Sequence, residues 1–556
     1  MSSALFKTRL PFFLKLKRRA GSLVGLFYAM SLLTGFALTR VGTSSWDTAA
    51  HRDHMRWLVG KWEGKDLALP YEEMQWAGPL WEYVLAVFDA AFRFLNDPLC
   101  VRHAVTFTLL PVTLAGTVFL LCKAGETRGT ALLAAALLLG NVRFVGHSIL
   151  NVKDFPLACD YLLCTLLMWS LLHQKMATPA GLLSRPGWLF LLTVLSVLPY
   201  LMEAPVLNHW VLLCALCVHV ALWESPGLTR QQRWLGALLP LVSGPLLVWA
   251  LWPPLRDTGI RGFAASFTLF SRFPWRGTVR LFGQTYLASE LPRWYAPVWI
   301  PLSWEPVGLS LLAIGAVAFF FVVVQDLLRY RSPSVAVLLD SLPVWASLFA
   351  VAPWAAVLAL RPVLYDEERH ILFAMPLLAV CAALGLRRLA EGTKVALAAL
   401  ILVSTLYSLA SWGKYSYVYR NPLLGTAGQD FKDDYWGVSS GAMAQALYDH
   451  VPDGAYVVVA ALAEPITLEL ERRETSRLFR AGPSKRWRLE LKGPASGEFY
   501  VVATNRNGTN RRILEDIAAG RARELWRDEM PAGDPAAVLA FYTEPCGHCR
   551  LKVRRL

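Results

Sequence analysis

The chain reads as an α-helical polytopic membrane protein of about eleven spans, amino end inside and carboxyl end outside, with a small extracytoplasmic α/β domain at its C-terminal end. Three observations lead there. Of 556 residues, 55% are hydrophobic and only 17% are charged, and the mean hydropathy is +0.39. Apolar windows recur near 21–40, 99–122, 128–146, 156–173, 187–201, 204–223, 234–252, 305–328, 338–360, 370–387 and 394–412, most of them close to the ~20 residues that cross a bilayer. The basic residues gather in short linkers between those windows, the pattern of the inward side of a membrane protein.

The first window follows a basic stretch (Lys7, Arg9, Lys15, Lys17, Arg18, Arg19) like that of a signal peptide. No small-residue cleavage site precedes Trp46, so the segment is expected to remain as an uncleaved span. With Lys15–Arg19 inside, alternate crossings place Lys123–Arg128, Lys175–Arg185, Arg230–Arg233, Arg329–Arg331 and Arg387–Lys394 on that same side. The net charge of +14 is therefore an orientation signal. No basic stripe with interleaved aromatics accompanies it, which excludes nucleic acid as a partner. Twenty-two tryptophans suit a chain in contact with lipid and its interfaces.

This gives a basic cytoplasmic terminus over 1–20, a transmembrane domain over 21–415 and an outer α/β domain over 416–556. The outer loops 41–98 and 253–304 are long and mix aromatics with charge, as interfacial helices do. In the last domain, Tyr456–Ala460 and Glu498–Ala503 read as strands, and Ala442–His450 and Arg511–Ala519 as helices. Cys100, Cys122, Cys159, Cys164, Cys214 and Cys217 lie in or beside apolar runs and are expected to pack as small hydrophobes. Cys546 and Cys549 suit a local disulfide or hairpin tip, since only seven residues follow. No Walker loop, His-Glu-x-x-His pair or zinc-spaced His/Cys cluster is present.

The informative polar residues fall on the outer face. Asp47 ends the first span and suits a general base, although a headgroup-level helix-end acid would look the same. In His147-Ser148-Ile149-Leu150-Asn151-Val152-Lys153-Asp154-Phe155-Pro156, Lys153 and His147 offer cations for a phosphate and Asp154 an acid. Asp154 and Pro156 also suit the first turn of a helix. Tyr365-Asp366-Glu367-Glu368-Arg369-His370 opens a span with basic residues where the helix dipole prefers anions. A bound phosphate would settle that conflict, and so would a salt bridge from Arg369 to Asp366 or Glu367. Glu203, between two apolar runs, suits a loop or an ion pair.

Together these stretches resemble the GT-C superfamily of polyprenyl-phosphate-dependent glycosyltransferases, near the protein O-mannosyltransferase and aminoarabinose-transferase branch (glycosyltransferase family 39-like). The resemblance rests on Asp47 after the first span, on His147–Pro156, and on Arg369-His370 running into Met375-Pro376. It also rests on Tyr417-Val418-Tyr419-Arg420-Asn421-Pro422-Leu423 with Asp433-Asp434-Tyr435-Trp436-Gly437, and covers 20–440. It implies a GT-C fold in a bacterial inner membrane with a periplasmic site. The partners implied are membrane lipids, a polyprenyl-phosphate-sugar donor and an acceptor lipid, glycan or protein. Asp47 would act as base with inversion, Asp154 beside it. Lys153, Arg369 and His370 would hold the donor phosphate, and His51, His147 and Tyr365 would contact substrate. Many members carry Asp-Glu where this chain has Asp47-Thr48, so Asp47 acts alone or shares the role with His51 or Asp53. No cofactor is required, although Asp47 with Asp154 would suit a divalent metal if they approach. The alternative is a lipid-linked sugar or oligosaccharide flippase, disfavoured because the charges gather at one face and no half-repeat is visible.

Overall fold

The computed structural model describes residues 29–38, 45–69, 71–175, 179–203, 206–223, 227–329, 338, 340–425, 431, 434–460, 463–475, 487–490, 494, 497–504, 509–531 and 535–543. The basic terminus, Cys546 and Cys549 lie outside them. The protein is an α-helical membrane protein. Among the described residues six helices are long and apolar enough to cross a membrane: Pro98–Lys123, Asp154–Gln174, Arg230–Leu251, Pro306–Arg329, Leu342–Leu360 and the run Glu391–Val418. Five shorter apolar helices, Ala29–Leu38, Arg128–Gly140, Pro186–Met202, Asn208–Trp223 and Arg369–Gly385, fall in the remaining windows.

The elements that carry the polar residues come early. They are α1 (Ala29–Leu38), α2 (Trp46–Trp62), α3 (Leu80–Ala91), α4 (Pro98–Lys123), α5 (Arg128–Gly140), α6 (Val142–Leu150) and α7 (Asp154–Lys175). Local chemistry sets their ends. The Asp97 carboxylate accepts the Cys100 N–H and Pro98 takes the first helical position, where its missing N–H costs nothing. The window 128–146 is broken at Asn141. Its side chain caps the Phe144 N–H, ending α5 and starting α6 inside one apolar run.

The two long loops carry structure of their own. Loop 41–98 holds α2, a 3₁₀ turn at Glu72–Trp76 and α3. Loop 253–304 holds helices Pro253–Thr258, Ile260–Ser271 and Tyr295–Ser303, and a hairpin of β1 (Thr278–Leu281) with β2 (Gln284–Leu287). Phe282 and Gly283 turn that hairpin with both φ positive, the backbone a two-residue turn requires.

The C-terminal part contains a five-stranded sheet of β3 (Tyr456–Ala460), β4 (Arg488–Glu490), β5 (Phe499–Thr504), β6 (Arg523–Glu529) and β7 (Pro535–Tyr542), in the order β4-β3-β5-β7-β6. β3 runs parallel to β4 and β5, while β7 is antiparallel to β5 and β6. Successive side chains of β3 point to opposite faces. Val457 and Val459 join Leu447 and Ile466 of helices Ser440–His450 and Ala463–Thr475. Val458 joins Ile513 of helix Thr509–Ala518 on the other face.

This domain is tied to the membrane part by an ion pair. Arg472 Nε and Nη2 donate to Asp97 Oδ1 and Oδ2, each at 3.1 Å, and both side chains are buried. Breaking a buried pair from one side leaves an uncompensated charge and costs ~3–5 kcal/mol. Arg472→Ala and Asp97→Asn are each expected to lower the thermal midpoint in detergent, and the double variant by less than their sum. Strict additivity in that cycle would show that the pair does not dock the domain.

Candidate active site

Arg369 is the centre of a polar cluster. It opens a 3₁₀ turn, Arg369–Ala374, that leads into helix Met375–Gly385, and its side chain is only 5% exposed. Three carboxylates from three parts of the chain converge on it. Nη2 lies 2.7 Å from Asp47 Oδ2, Nε lies 3.3 Å from Asp154 Oδ2, and Nη1 lies 3.4 Å from Asp366 Oδ2. Asp154 and Asp366 are 4% exposed, whereas Asp47 at the start of α2 is 22% exposed. Of the three acids, Asp47 is the one with access to solvent. Asp47 and Asp154 thus meet across a guanidinium, so the two acids offered above as a metal pair are bridged by a protein cation.

A second cation lies alongside. Lys153 Nζ is 2.8 Å from Glu203 Oε1. Burial disfavours the ammonium, but Glu203 and Asp154 outweigh it and raise the lysine pKa above its ordinary value. Glu203 is therefore an ion-pair partner. Asn151 holds this corner together: its Oδ1 accepts the N–H groups of Lys153 at 3.1 Å and Asp154 at 2.8 Å, and its Nδ2 donates to Asp154 Oδ2 at 3.0 Å. The start of α7 is thereby capped from the turn before it.

Three successive acids divide between Arg369 on one side and Arg143 with His147 on the other. Asp366 and Glu367 both have positive φ, 52° and 66°, an uncommon backbone for residues with a Cβ. That turn sends Asp366 to Arg369 and Glu367 to Arg143 Nη2. Glu368 Oε1 meets Arg143 Nε at 2.7 Å and His147 Nε2 at 3.0 Å. Arg143, fully buried in α6, was not singled out from the sequence. Its signal was a lone arginine inside an apolar run. Gly146 lets this helix approach the 413–418 turn, because a Cβ there would lie 2.3 Å from the Tyr417 nitrogen.

The remaining candidates are distributed as follows. His147 is fully buried between Glu368 and Asn151 Nδ2, 3.0 Å from its Nδ1. It reaches Asp154 through Asn151, whose Nδ2 also donates to Asp154 Oδ2. His51 is buried as well, with Nδ1 2.8 Å from Glu82 Oε1. Asp53 pairs with Arg52 at 3.2 Å and Arg56 at 3.3 Å. Thr48 turns inward to His103 Nε2 at 2.9 Å. None of these joins Asp47; the second acid on the same guanidinium is Asp154. Tyr365 stands beside Arg369, its ring stacked on Trp275 at 4.5 Å, and burial pushes its hydroxyl up to about 12. His370 packs its ring 4.5 Å from Tyr365.

The fold also assembles a group that linear spacing did not reveal. His51, His54 and Glu82, all buried, present ligand atoms within 4.8 Å of one another. Burial holds the His54 pKa down at about 3. For Glu82, burial pulls upward, but Arg102 and His51 prevail and hold it at about 2.

No family model matches the chain, and no curated protein does. Among solved structures it is similar to ArnT from Cupriavidus metallidurans bound to undecaprenyl phosphate: 14% identity, 94% of this chain, 98% of that chain and a TM-score of 0.45. The apo state of that ArnT gives 13% identity, the same coverage and a TM-score of 0.48. An Archaeoglobus fulgidus oligosaccharyltransferase tethered to an acceptor peptide gives 12% identity over 81% of this chain and 63% of that one, with a TM-score of 0.38.

Arg143 is the sole guanidinium drawn to both Glu367 and Glu368 among the described ion pairs. Arg143→Leu is expected to destabilise the protein by ~3–5 kcal/mol, because two buried carboxylates lose their counter-charge. Thermal melting of the purified variant in detergent checks this; an unchanged midpoint would remove Arg143 from the framework.

Proposed function

We propose that this protein is a membrane glycosyltransferase that moves a sugar from a polyprenyl-phosphate donor to an acceptor hydroxyl or similar group on the outer face of the membrane. One observation supports it most. A single buried guanidinium gathers Asp47, Asp154 and Asp366, and Asp47 alone is open to solvent. The three-way fork of arginine matches phosphate oxygens as well as carboxylates.

In the proposed step the donor phosphate competes with Asp47 for the Nη2 edge of Arg369. Lys153 adds positive charge on the same side. Displaced from the guanidinium, Asp47 becomes a free carboxylate facing solvent and takes the proton of the acceptor. The acceptor oxygen bonds to the anomeric carbon as the carbon–oxygen bond to the lipid phosphate breaks, and the phosphate leaves with that electron pair. Attack opposite the leaving group inverts the anomeric centre. Asp154, locked by Asn151, keeps Arg369 in place after Asp47 has left it. Tyr365, Trp275 and His370 supply an aromatic wall for the sugar. The setting we infer is a bacterial inner membrane with the site on its periplasmic side.

The test is sugar transfer by full-length protein in detergent or nanodiscs, with a panel of radiolabelled polyprenyl-phosphate sugars. Undecaprenyl phosphate, named with the ArnT structure, is the first lipid carrier to use. Wild type is expected to release polyprenyl phosphate. Asp47→Asn, which removes the base, should lower turnover by ~10²–10⁴-fold. Arg369→Lys, which keeps charge but loses the fork, should chiefly weaken donor binding. Movement of sugar-lipid across reconstituted vesicles without turnover of any donor would hand the protein to the flippase reading.

A further inference from the structure

The proposed transfer makes no use of the His51, His54 and Glu82 group. His51 and His54 follow Asp47 by four and seven residues on α2, so the three lie along one helix face. α3 brings Glu82 against that face, and the His51 ring meets its Oε1 at 2.8 Å. The second carboxylate oxygen, Oε2, accepts from Arg102 Nη2 at 2.5 Å, which fixes the carboxylate with Oε1 toward the histidines. Asp89 lies 3.5 Å from the other side of Arg102 and offsets its charge.

The telling residue is His54. It is completely buried, and both of its ring nitrogens lack a hydrogen-bond partner. Its ring instead stacks on Trp57 at 6.1 Å and meets the His51 ring at 6.4 Å. Buried polar groups in native proteins are satisfied with few exceptions, and an exception calls for an explanation such as an ion. Two imidazoles and one carboxylate suit a borderline-soft divalent cation. Three protein ligands leave a fourth tetrahedral position for water or substrate.

We propose that His51, His54 and Glu82 form a binding site for one divalent cation of the zinc class, with Arg102 orienting Glu82 from outside the ligand set. The ion clamps α2 to α3 and so fixes the helix that carries Asp47. The site stands independently of the glycosyl-transfer reading, because its ligands are defined by burial and mutual distance.

The experiment uses full-length protein in detergent, stripped with chelator, reloaded with zinc or cobalt(II) alone and desalted. Wild type is expected to retain one zinc per chain by mass spectrometry, and with cobalt to show the visible bands of a tetrahedral nitrogen–oxygen site. His54→Cys is expected to keep the ion and add a thiolate-to-cobalt charge-transfer band, a signature a structural role would not produce. Glu82→Gln should bind at least tenfold more weakly, while Asp53→Asn on the same helix should bind as wild type does. Stripped wild type that retains neither metal above background, or a His54→Cys protein that binds cobalt without the thiolate band, would overturn the assignment. Loss of transfer activity with the metal retained would bear on the catalytic reading alone.

Discussion

A guanidinium buried among carboxylates is the constraint that orders this protein. Taking Arg369 out of water is costly unless opposite charge surrounds it. That charge comes from residues 47, 154 and 366, which are far apart in the chain. Satisfying one side chain therefore fixes the entry of α2, the start of α7 and the turn before the 3₁₀ segment at Arg369–Ala374. With Lys153 and Glu203 included, four carboxylates face two cations. An excess of acid of this sort is a poor way to stabilise a fold. It is a workable way to keep one carboxylate loosely held, and Asp47 is the exposed member.

The turn at Asp366-Glu367-Glu368 shows how such a centre is supported. Three consecutive carboxylates would repel one another if they faced the same way. Positive φ at two successive residues splays them: Asp366 turns to Arg369, while Glu367 and Glu368 turn to Arg143 and His147 of α6. Strained backbone of this kind persists only where the surroundings over-determine it. Here the surroundings are Arg143, stacked 4.8 Å over Trp299, and Tyr295, whose hydroxyl donates to the Glu367 carbonyl at 3.2 Å. The second layer is as polar as the first, and it comes from inside the helical bundle.

Much of the helical layout was legible because hydropathy reports which segments avoid water, and an apolar helix occurs in every window named from the sequence. Asn141 was not legible as a break, since the apolar run continues across it and only the side-chain cap ends the helix. In the site, charge in an apolar setting drew attention to Asp47, Lys153, Asp154 and Arg369, which the fold gathers into one cluster. It did not say which way a polar residue turns. His51 and His147 each face a buried carboxylate. Arg143 and Glu82 gained meaning only from partners 224 and 20 residues away. Linear spacing carries no trace of such pairings.

α2 brings these points together. Its sequence, WDTAAHRDHMRWLVGKW, is too polar to be held by apolar burial alone. Its position depends on specific polar ties: Thr48 to His103, His51 to Glu82, and Asp47 to Arg369. From the other side Ala49 packs with Leu99 and with Leu468 of the C-terminal domain. Helices held by few directed contacts can shift when one contact is exchanged. Replacing the Asp47–Arg369 contact by a phosphate on the arginine would leave the inner ties of α2 in place while freeing its outer end. The C-terminal domain, docked at Asp97 and Leu99 beside that helix, would then limit how far the freed end travels.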